Sequence, residues 1–273
     1  MRIRAYAKIN LGLRVLRRRE DGYHEIQGLM QTIGLADELV LERPSEGLEL
    51  LVEPPLGVPS EENLAYRAAE LLFKTVNLQP SLRLQLMKKT PAGAGLGGGS
   101  SDAAAVLAGL SRLLGLDLDE GRLAVLALEL GSDVPFFLVG GTCLVGGRGG
   151  DIKRLPPLPE YHLVLLIPPF PLSTAAVYQK LDRLGEDEES LRLPGLLRND
   201  LERAALALRP ELVEYRNFLR EQGADFFGLS GSGPAWFAGF RERGRAEWTA
   251  AEGAKLPGRA VLTGLIDHGY EFE

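Results

Sequence analysis

The chain begins with a regular alternation of apolar and polar positions. Between residues 2 and 16 the side chains of one face are all apolar, namely Ile3, Ala5, Ala7, Ile9, Leu11, Leu13 and Val15. A period of two is that of a β-strand with one buried face. Lys8 and Asn10 fall on the opposite face, among arginines, so the simplest interpretation of both residues is a solvated surface.

Further periodic segments divide the chain into strands and helices. The predicted strands lie near 27–35, 37–42, 48–52, 82–86, 142–145, 162–167, 225–229, 235–240 and 259–263. The predicted helices lie near 60–76, 102–114, 119–131, 174–184, 209–222 and 244–254. Because strands and helices mix without regular βαβ spacing, we expect an α+β fold.

Glycine and proline interrupt this pattern between residues 146 and 159. The run Gly146-Gly147-Arg148-Gly149-Gly150 is followed within a few residues by Pro156-Pro157. Such clusters break regular structure and are typical of linkers. We therefore predict two domains, 1–152 and 153–273, and an exposed loop at the acidic stretch 186–190.

A second feature is a loop of small residues, Pro91–Ser101, which leads directly into an amphipathic helix. Bare glycine backbone lets N–H groups approach phosphate oxygens, and a helix N-terminus adds partial positive charge. No second strand with an acidic end follows, as a dinucleotide fold requires, and no Gly-Lys-Ser/Thr follows, as a Walker A loop requires. A flexible linker does not normally end in such a helix. The loop therefore predicts a site for a nucleotide triphosphate.

Composition restricts the classes of partner. The 273 residues carry a net charge of −6, which disfavours a nucleic-acid partner. No apolar run is long enough to span a membrane, and the first residues do not have the pattern of a signal peptide. One cysteine, Cys143, excludes an intrachain disulfide, and three scattered histidines supply no zinc site. We expect a cytoplasmic protein.

Three other segments carry candidate chemistry. The turn 21–25 contains Tyr23 and His24. In the segment Gly131–Phe137, Asp133 precedes Pro135, which is typical of a helix N-cap, although a carboxylate there could also take the proton of a hydroxyl. Gly228–Pro234 is a second loop of small residues, and two such loops suggest a shared phosphate or substrate cleft.

Together these segments resemble the GHMP kinase superfamily. The resemblance rests on the strand with Lys8 and Asn10, the loop Pro91–Ser101 and the loop Gly228–Pro234, in this order. It implies a ribosomal protein S5 domain 2-like N-terminal domain, a GHMP C-terminal domain and an active site between them. The segments around Tyr23 and Asp133 are similar to the branch that phosphorylates a small cytidyl-diphosphate alcohol in non-mevalonate isoprenoid biosynthesis.

The resemblance also implies roles for individual residues. Lys8 and Asp133 are the implied catalytic pair of an ATP-dependent kinase that uses Mg²⁺, for which no ligand is assigned. The triphosphate is implied to lie against Pro91, Ala92, Gly93, Ala94, Gly95, Leu96, Gly97, Gly98, Gly99, Ser100 and Ser101, with Asn63 and Lys88 helping to hold ATP. The implied substrate contacts are Asn10, Tyr23, His24, Thr174, Tyr178, Gly231 and Ser232, with the cytosine between the rings of Tyr23 and Tyr178.

Two alternatives stay open at this point. Another small-alcohol kinase of the superfamily, of the homoserine or mevalonate type, would keep both loops without needing Tyr23, His24 and Tyr178. A non-catalytic module would bind the nucleotide and tolerate the loss of Asp133. The oligomeric state does not follow from the sequence.

Overall fold

The computed structural model describes residues 1–43, 46–116, 118–185 and 198–273. Its strands are β1 (Arg2–Arg18), β2 (His24–Glu42), β3 (Gly47–Glu53), β4 (Ser81–Met87), β5 (Thr142–Gly147), β6 (Asp151–Arg154), β7 (His162–Ile167), β8 (Phe226–Leu229), β9 (Trp236–Phe240), β10 (Arg259–Gly264) and β11 (Tyr270–Phe272). Its α-helices are α1 (Leu64–Thr75), α2 (Gly98–Leu113), α3 (Glu120–Leu130), α4 (Val134–Val139), α5 (Thr174–Leu184), α6 (Glu202–Leu208), α7 (Leu212–Glu221) and α8 (Arg243–Gly253).

Two sheets organise the described residues. The first has the strand order β11-β1-β2-β4-β3, and β5 and β6 extend it from β2. The second has the order β10-β7-β9-β8. Helices α1 to α4 pack on the first sheet around a core of leucine, alanine and phenylalanine, and α5 to α8 pack on the second. A third apolar cluster joins residues of β1 and β2 to residues of β7 and β9, so the two sheets share a core.

An irregularity in the pairing of β1 with β2 places Lys8 and Asn10 inside the protein. The pairing of β1 with β2 shifts register between Tyr6 and Ala7. Such a shift turns the following residues to the opposite face of the sheet. Ile3 therefore packs in the helix-covered core, whereas Ala7 packs in the core between the sheets. Lys8 and Asn10 are only 3% and 2% exposed, so the interpretation as a solvated face is wrong.

Several predicted boundaries also change. The strands predicted at 27–35 and 37–42 are one strand, β2, and the helix α6 was not predicted. The predicted loop at 186–190 lies outside the described residues. The domain boundary at residue 152 stays a prediction; β11, near the end of the chain, pairs with β1 in the first sheet. No helix in the described ranges has the length and apolar character that crossing a membrane requires.

Candidate active site

The loop between β4 and α2 turns its carbonyl groups away from the cleft. Each of five successive carbonyl oxygens accepts a hydrogen bond from a different group: Gly93 O from Leu172 N (3.2 Å), Ala94 O from Ala235 N (3.1 Å), Gly95 O from Ser230 Oγ (2.9 Å), Leu96 O from Lys8 N (2.9 Å) and Gly97 O from Ser101 N (2.9 Å). Within the described chain, the N–H groups of Gly93 to Gly97 donate no backbone hydrogen bond outside the helices and strands, and those of Gly98 to Ser100 lie in the first turn of α2, which has no partner for them in the helix. These N–H groups remain for an anion, as the sequence predicts.

Glycine is required at alternate positions of this loop. Gly93, Gly95 and Gly97 have φ values of +65°, +78° and +71°, in the left-handed region that side chains rarely adopt. A Cβ on Gly95 would lie 2.1 Å from the carbonyl oxygen of Ser230, and one on Gly97 would lie 2.7 Å from the ring of Phe137. The loop therefore packs backbone to backbone against the second half of the chain.

A cavity of about 460 Å³ follows this loop and brings most of the predicted residues together. Besides Pro91 to Ser100, its walls include Lys8, Asn10, Asp133, Thr174, Tyr178, Gly231 and Ser232. A Cβ on Gly231 would lie 3.2 Å from Asn10 Oδ1 and 3.3 Å from Lys8 Nζ, so the second glycine loop lies directly against these side chains. Thr174 Oγ1 and Ser232 Oγ are 2.9 Å apart and share a hydrogen bond.

Lys8 and Asp133 form an ion pair in this cavity. Lys8 Nζ lies 3.4 Å from Asp133 Oδ2 and donates a hydrogen bond to Asn10 Oδ1. The lysine side chain is 4% exposed, whereas the aspartate side chain is 31% exposed. Asp133 makes no side-chain capping bond to α4, although Pro135 occupies the first turn. The carboxylate is therefore free of the structural role that the sequence also allowed.

A second cavity, of about 570 Å³, meets the first at Asp133, Ser100, Thr174 and Tyr178. Tyr23 and His24 lie in its wall. The ring of His24 stacks on that of Tyr178, with centroids 4.9 Å apart, and His24 Nε2 lies 2.8 Å from Asp182 Oδ1. Burial and the nearby Asp133 carboxylate raise the pKa of Tyr178, so its phenol stays neutral.

The structure does not place Tyr23 and Tyr178 ring to ring. Tyr23 is half exposed, and the guanidinium of Arg148 lies 4.2 Å from its ring centroid. One face of the Tyr178 ring is in contact with His24. The aromatic sandwich therefore stays a prediction that requires His24 to move or the base to use the other face of Tyr178.

Three predicted nucleotide residues lie outside both cavities. Asn63 Oδ1 accepts a hydrogen bond from Ala65 N and caps α1. Ser101 is buried, and its hydroxyl donates to Tyr6 O at 2.7 Å. Lys88 points beneath the loop, where its ammonium contacts the carboxylates of Asp37 and Asp102.

Other residues at the site were missed by sequence reasoning. Arg18, Arg148 and Asp182 line the second cavity. Asp182 lies one helical turn after Tyr178, a spacing that could have linked the two, whereas Arg148 was assigned to a linker. Asn199 donates to Leu229 O (2.8 Å) and Gly231 O (2.6 Å) and so holds the second glycine loop; no local signal marks it.

Comparison with known proteins agrees with this geometry. Residues 63–141 match the family described as GHMP kinases N terminal domain, and residues 176–252 match GHMP kinases C terminal. A 4-diphosphocytidyl-2-C-methyl-D-erythritol kinase of Moorella thermoacetica is 44% identical over 85% of this chain and 87% of its own length. One of Geobacter sulfurreducens is 40% identical over 89% and 91%.

Solved structures give the same result. A crystal structure of 4-(cytidine 5'-diphospho)-2C-methyl-D-erythritol kinase superposes with a TM-score of 0.81 at 40% identity, covering 97% of this chain and 99% of that one. Homoserine kinase from Cytophaga hutchinsonii superposes with a TM-score of 0.80 at 18% identity, covering 99% and 96%, which shows a shared fold. The chain belongs to the GHMP kinases and, among them, to the 4-diphosphocytidyl-2-C-methyl-D-erythritol kinase family.

Proposed function

We propose that the protein transfers the γ-phosphoryl group of ATP to the 2-hydroxyl of 4-diphosphocytidyl-2-C-methyl-D-erythritol, a step of non-mevalonate isoprenoid biosynthesis. One observation carries the proposal. A cavity lined by the phosphate loop and a cavity lined by Tyr23 and His24 meet at Asp133, beside the ammonium of Lys8. A phosphoryl donor and an alcohol acceptor bound in these cavities would meet at Asp133, which lines both and pairs with Lys8.

The loop supplies most of the donor site. Its N–H groups and the N-terminus of α2 stabilise the phosphate oxygens, and Lys8 adds a full positive charge where the transferred group lies. Because Asn10 and Asp133 hold the ammonium, it does not need to reorganise during the reaction. Phosphoryl transfer depends mainly on such positioning and charge neutralisation.

Mg²⁺ fits this site as a companion of the triphosphate. In the described ranges, no three Asp, Glu, His or Cys side chains form a metal-binding group. Mg²⁺ in nucleotide sites is held largely by phosphate oxygens and water, with one or two carboxylates. Held mainly by the phosphates, the metal would neutralise charge on them and leave Asp133 to the acceptor.

Asp133 serves the acceptor. Its exposed carboxylate edge faces both cavities, so it can accept a hydrogen bond from the hydroxyl, orient it towards the γ-phosphorus and take its proton. Tyr23 and Tyr178 offer faces for stacking with the cytosine, and His24 offers to its edge the ring nitrogen that does not contact Asp182. Asp182 fixes the orientation of His24.

The experiment is incubation with ATP, Mg²⁺ and the cytidyl substrate, followed by phosphorus NMR of the product. The proposal predicts a new phosphomonoester at the 2-oxygen of the substrate, with equimolar ADP. Release of inorganic phosphate without that ester would mark an ATPase. Binding of ATP without either product would favour the non-catalytic module.

A further inference from the structure

Beneath the phosphate loop lies a buried cluster of one lysine and two aspartates. Lys88 Nζ contacts Asp37 Oδ2 and lies 2.7 Å from Asp102 Oδ2. The three side chains are 6%, 0% and 2% exposed. The cluster joins three elements that are far apart in the sequence. Asp37 lies in β2, Lys88 directly follows β4, and Asp102 lies in the first turns of α2.

The cluster fixes both ends of the loop. Asp37 Oδ1 accepts hydrogen bonds from Lys89 N at 2.6 Å and Thr90 N at 2.7 Å, the last two residues before Pro91. Asp102 lies in α2, immediately after the loop. Lys88 connects these two carboxylates and so sets the distance between the entrance and the exit of the loop.

The loop also rests directly on the cluster. A Cβ on Gly98 would lie 2.8 Å from Thr90 Cγ2 and 3.2 Å from Lys88 Nζ. Gly98 is the first residue of α2. A displacement of the lysine ammonium would therefore move the first N–H groups of the helix, which are those offered to phosphate.

Direct contact between Lys88 and a nucleotide conflicts with this arrangement. Lys88 does not line either described cavity, and its ammonium could reach one only by leaving two buried carboxylates unpaired, which is unfavourable. Burial, with a further contribution from Asp37, raises the pKa of Asp102 to about 7, which reflects how poorly this interior holds two negative charges. The Lys88 ammonium is therefore needed between Asp37 and Asp102, where it balances their charge.

We propose that Lys88, Asp37 and Asp102 form a positioning cluster that holds the phosphate loop and the start of α2 in the shape that binds ATP, and that Lys88 acts through Asp102 and Asp37 without touching the nucleotide. The inference rests on the proposed function, because it assumes that ATP binds in this loop. It assigns Asp37 and Asp102 a role in the site and changes the role that the family resemblance implies for Lys88.

The test is a double-mutant cycle with Lys88→Met, Asp102→Asn and the double variant. Calorimetry with a non-hydrolysable ATP analogue gives Kd, and steady-state kinetics give kcat and the KM of each substrate. We expect each single variant to weaken analogue binding by about 3- to 30-fold, the range for residues that act through a network. The Kd of the double variant for the analogue should not exceed the larger Kd of the two single variants, because both changes break the same contact between Lys88 and Asp102. KM for the alcohol should stay within about twofold of the wild-type value, because the cluster holds only the loop that binds the nucleotide. A loss of affinity confined to the nucleotide distinguishes a positioning role from a general loss of structure.

Lys89→Met is the matched control. It removes the same charge one residue away, where the side chain is 52% exposed and pairs with Glu38. Its Kd should stay within about twofold of the wild type, since exposed charges are screened. An equal loss in Lys89→Met would mean that general electrostatic attraction explains the effect, and the proposal would be wrong.

The other possible results of the double-mutant cycle also test the proposal. If the losses of the single variants multiply in the double variant, Lys88 contacts the nucleotide independently and the proposal is overturned. If Lys88→Met does not fold, Asp102→Asn carries the test, because it keeps the shape of the side chain; a folded Asp102→Asn with unchanged Kd overturns the proposal. If the wild type itself does not bind the analogue, the proposed function fails and this inference with it.

Discussion

Replacing Asp133 by asparagine separates chemistry from stability at this site. Asparagine keeps an oxygen near Lys8 Nζ but cannot take a proton. General acid–base catalysis contributes about 10²–10⁴-fold, which equals about 2.7–5.5 kcal/mol of transition-state stabilisation. The stability term is smaller. Asp133 is 31% exposed and makes no capping bond, whereas the Lys8 side chain is only 4% exposed. Because Lys8 keeps its hydrogen bond to Asn10 and asparagine keeps an acceptor oxygen, we expect loss of the charge to cost about 1–2 kcal/mol, between the values for an exposed pair and for a fully buried one.

The two terms predict different readouts. With saturating substrates, kcat of Asp133→Asn should fall at least about 100-fold, whereas Tm should fall by no more than about 8 °C for a chain of this size. Asp119→Asn is the control, because Asp119 caps α3 through a 2.7 Å bond from Arg122 N that asparagine can also accept. A kcat within about tenfold of the wild type would refute the proton-transfer role. So would a large drop in Tm with kcat falling only in proportion to the folded fraction.

Three other changes test separate parts of the site. Gly97→Val should abolish tight binding of an ATP analogue in calorimetry and lower Tm, because its φ of +71° and the ring of Phe137 exclude a side chain; unchanged affinity would move the phosphate site elsewhere. Tyr178→Ala should raise KM for the cytidyl substrate about 5- to 150-fold, from about 1–3 kcal/mol of stacking, and leave KM for ATP nearly unchanged; equal effects on both would refute base stacking. Asp102→Asn should change the pH dependence of Tm. The folded protein holds the Asp102 proton up to a pKa of about 7 and the unfolded chain does not, so wild-type stability should fall relative to the variant between about pH 4 and pH 7, and a constant difference would contradict this.

Local features of the site follow from sequence, because they depend on neighbouring residues. The glycines and the amphipathic period predict a loop followed by a helix in the right order, although α2 begins at Gly98, within the predicted loop. A loop that must turn through left-handed conformations needs glycine, and a helix after it needs a regular apolar stripe. The partners of the loop carbonyls, by contrast, come from residues such as Leu172, Ser230 and Ala235, which no local pattern connects to it.

Lys8 shows why burial was misjudged. A period of two identifies a strand but not a β-bulge. The extra residues at this register shift, Gly34 and Leu35, lie in the partner strand β2, so the alternation of β1 in the sequence stays intact while its side chains change face in the sheet. The sequence pattern therefore predicts that Lys8 and Asn10 are surface residues, whereas the structure buries both. Lys88 is a second case: its partners are 51 and 14 residues away, so only the folded chain shows that its charge is neutralised.

The rate of ATP consumption with three acceptors compared side by side tests the central claim most directly. The wild-type protein, with ATP and Mg²⁺, is offered 4-diphosphocytidyl-2-C-methyl-D-erythritol, homoserine and mevalonate at equal concentrations, and ADP is followed by a coupled assay. The second cavity, with Tyr23, His24 and Tyr178 in its wall, predicts turnover with the cytidyl alcohol and none above background with the other two. Turnover of homoserine or mevalonate at an equal or greater rate, or no turnover of the cytidyl alcohol, would contradict the account.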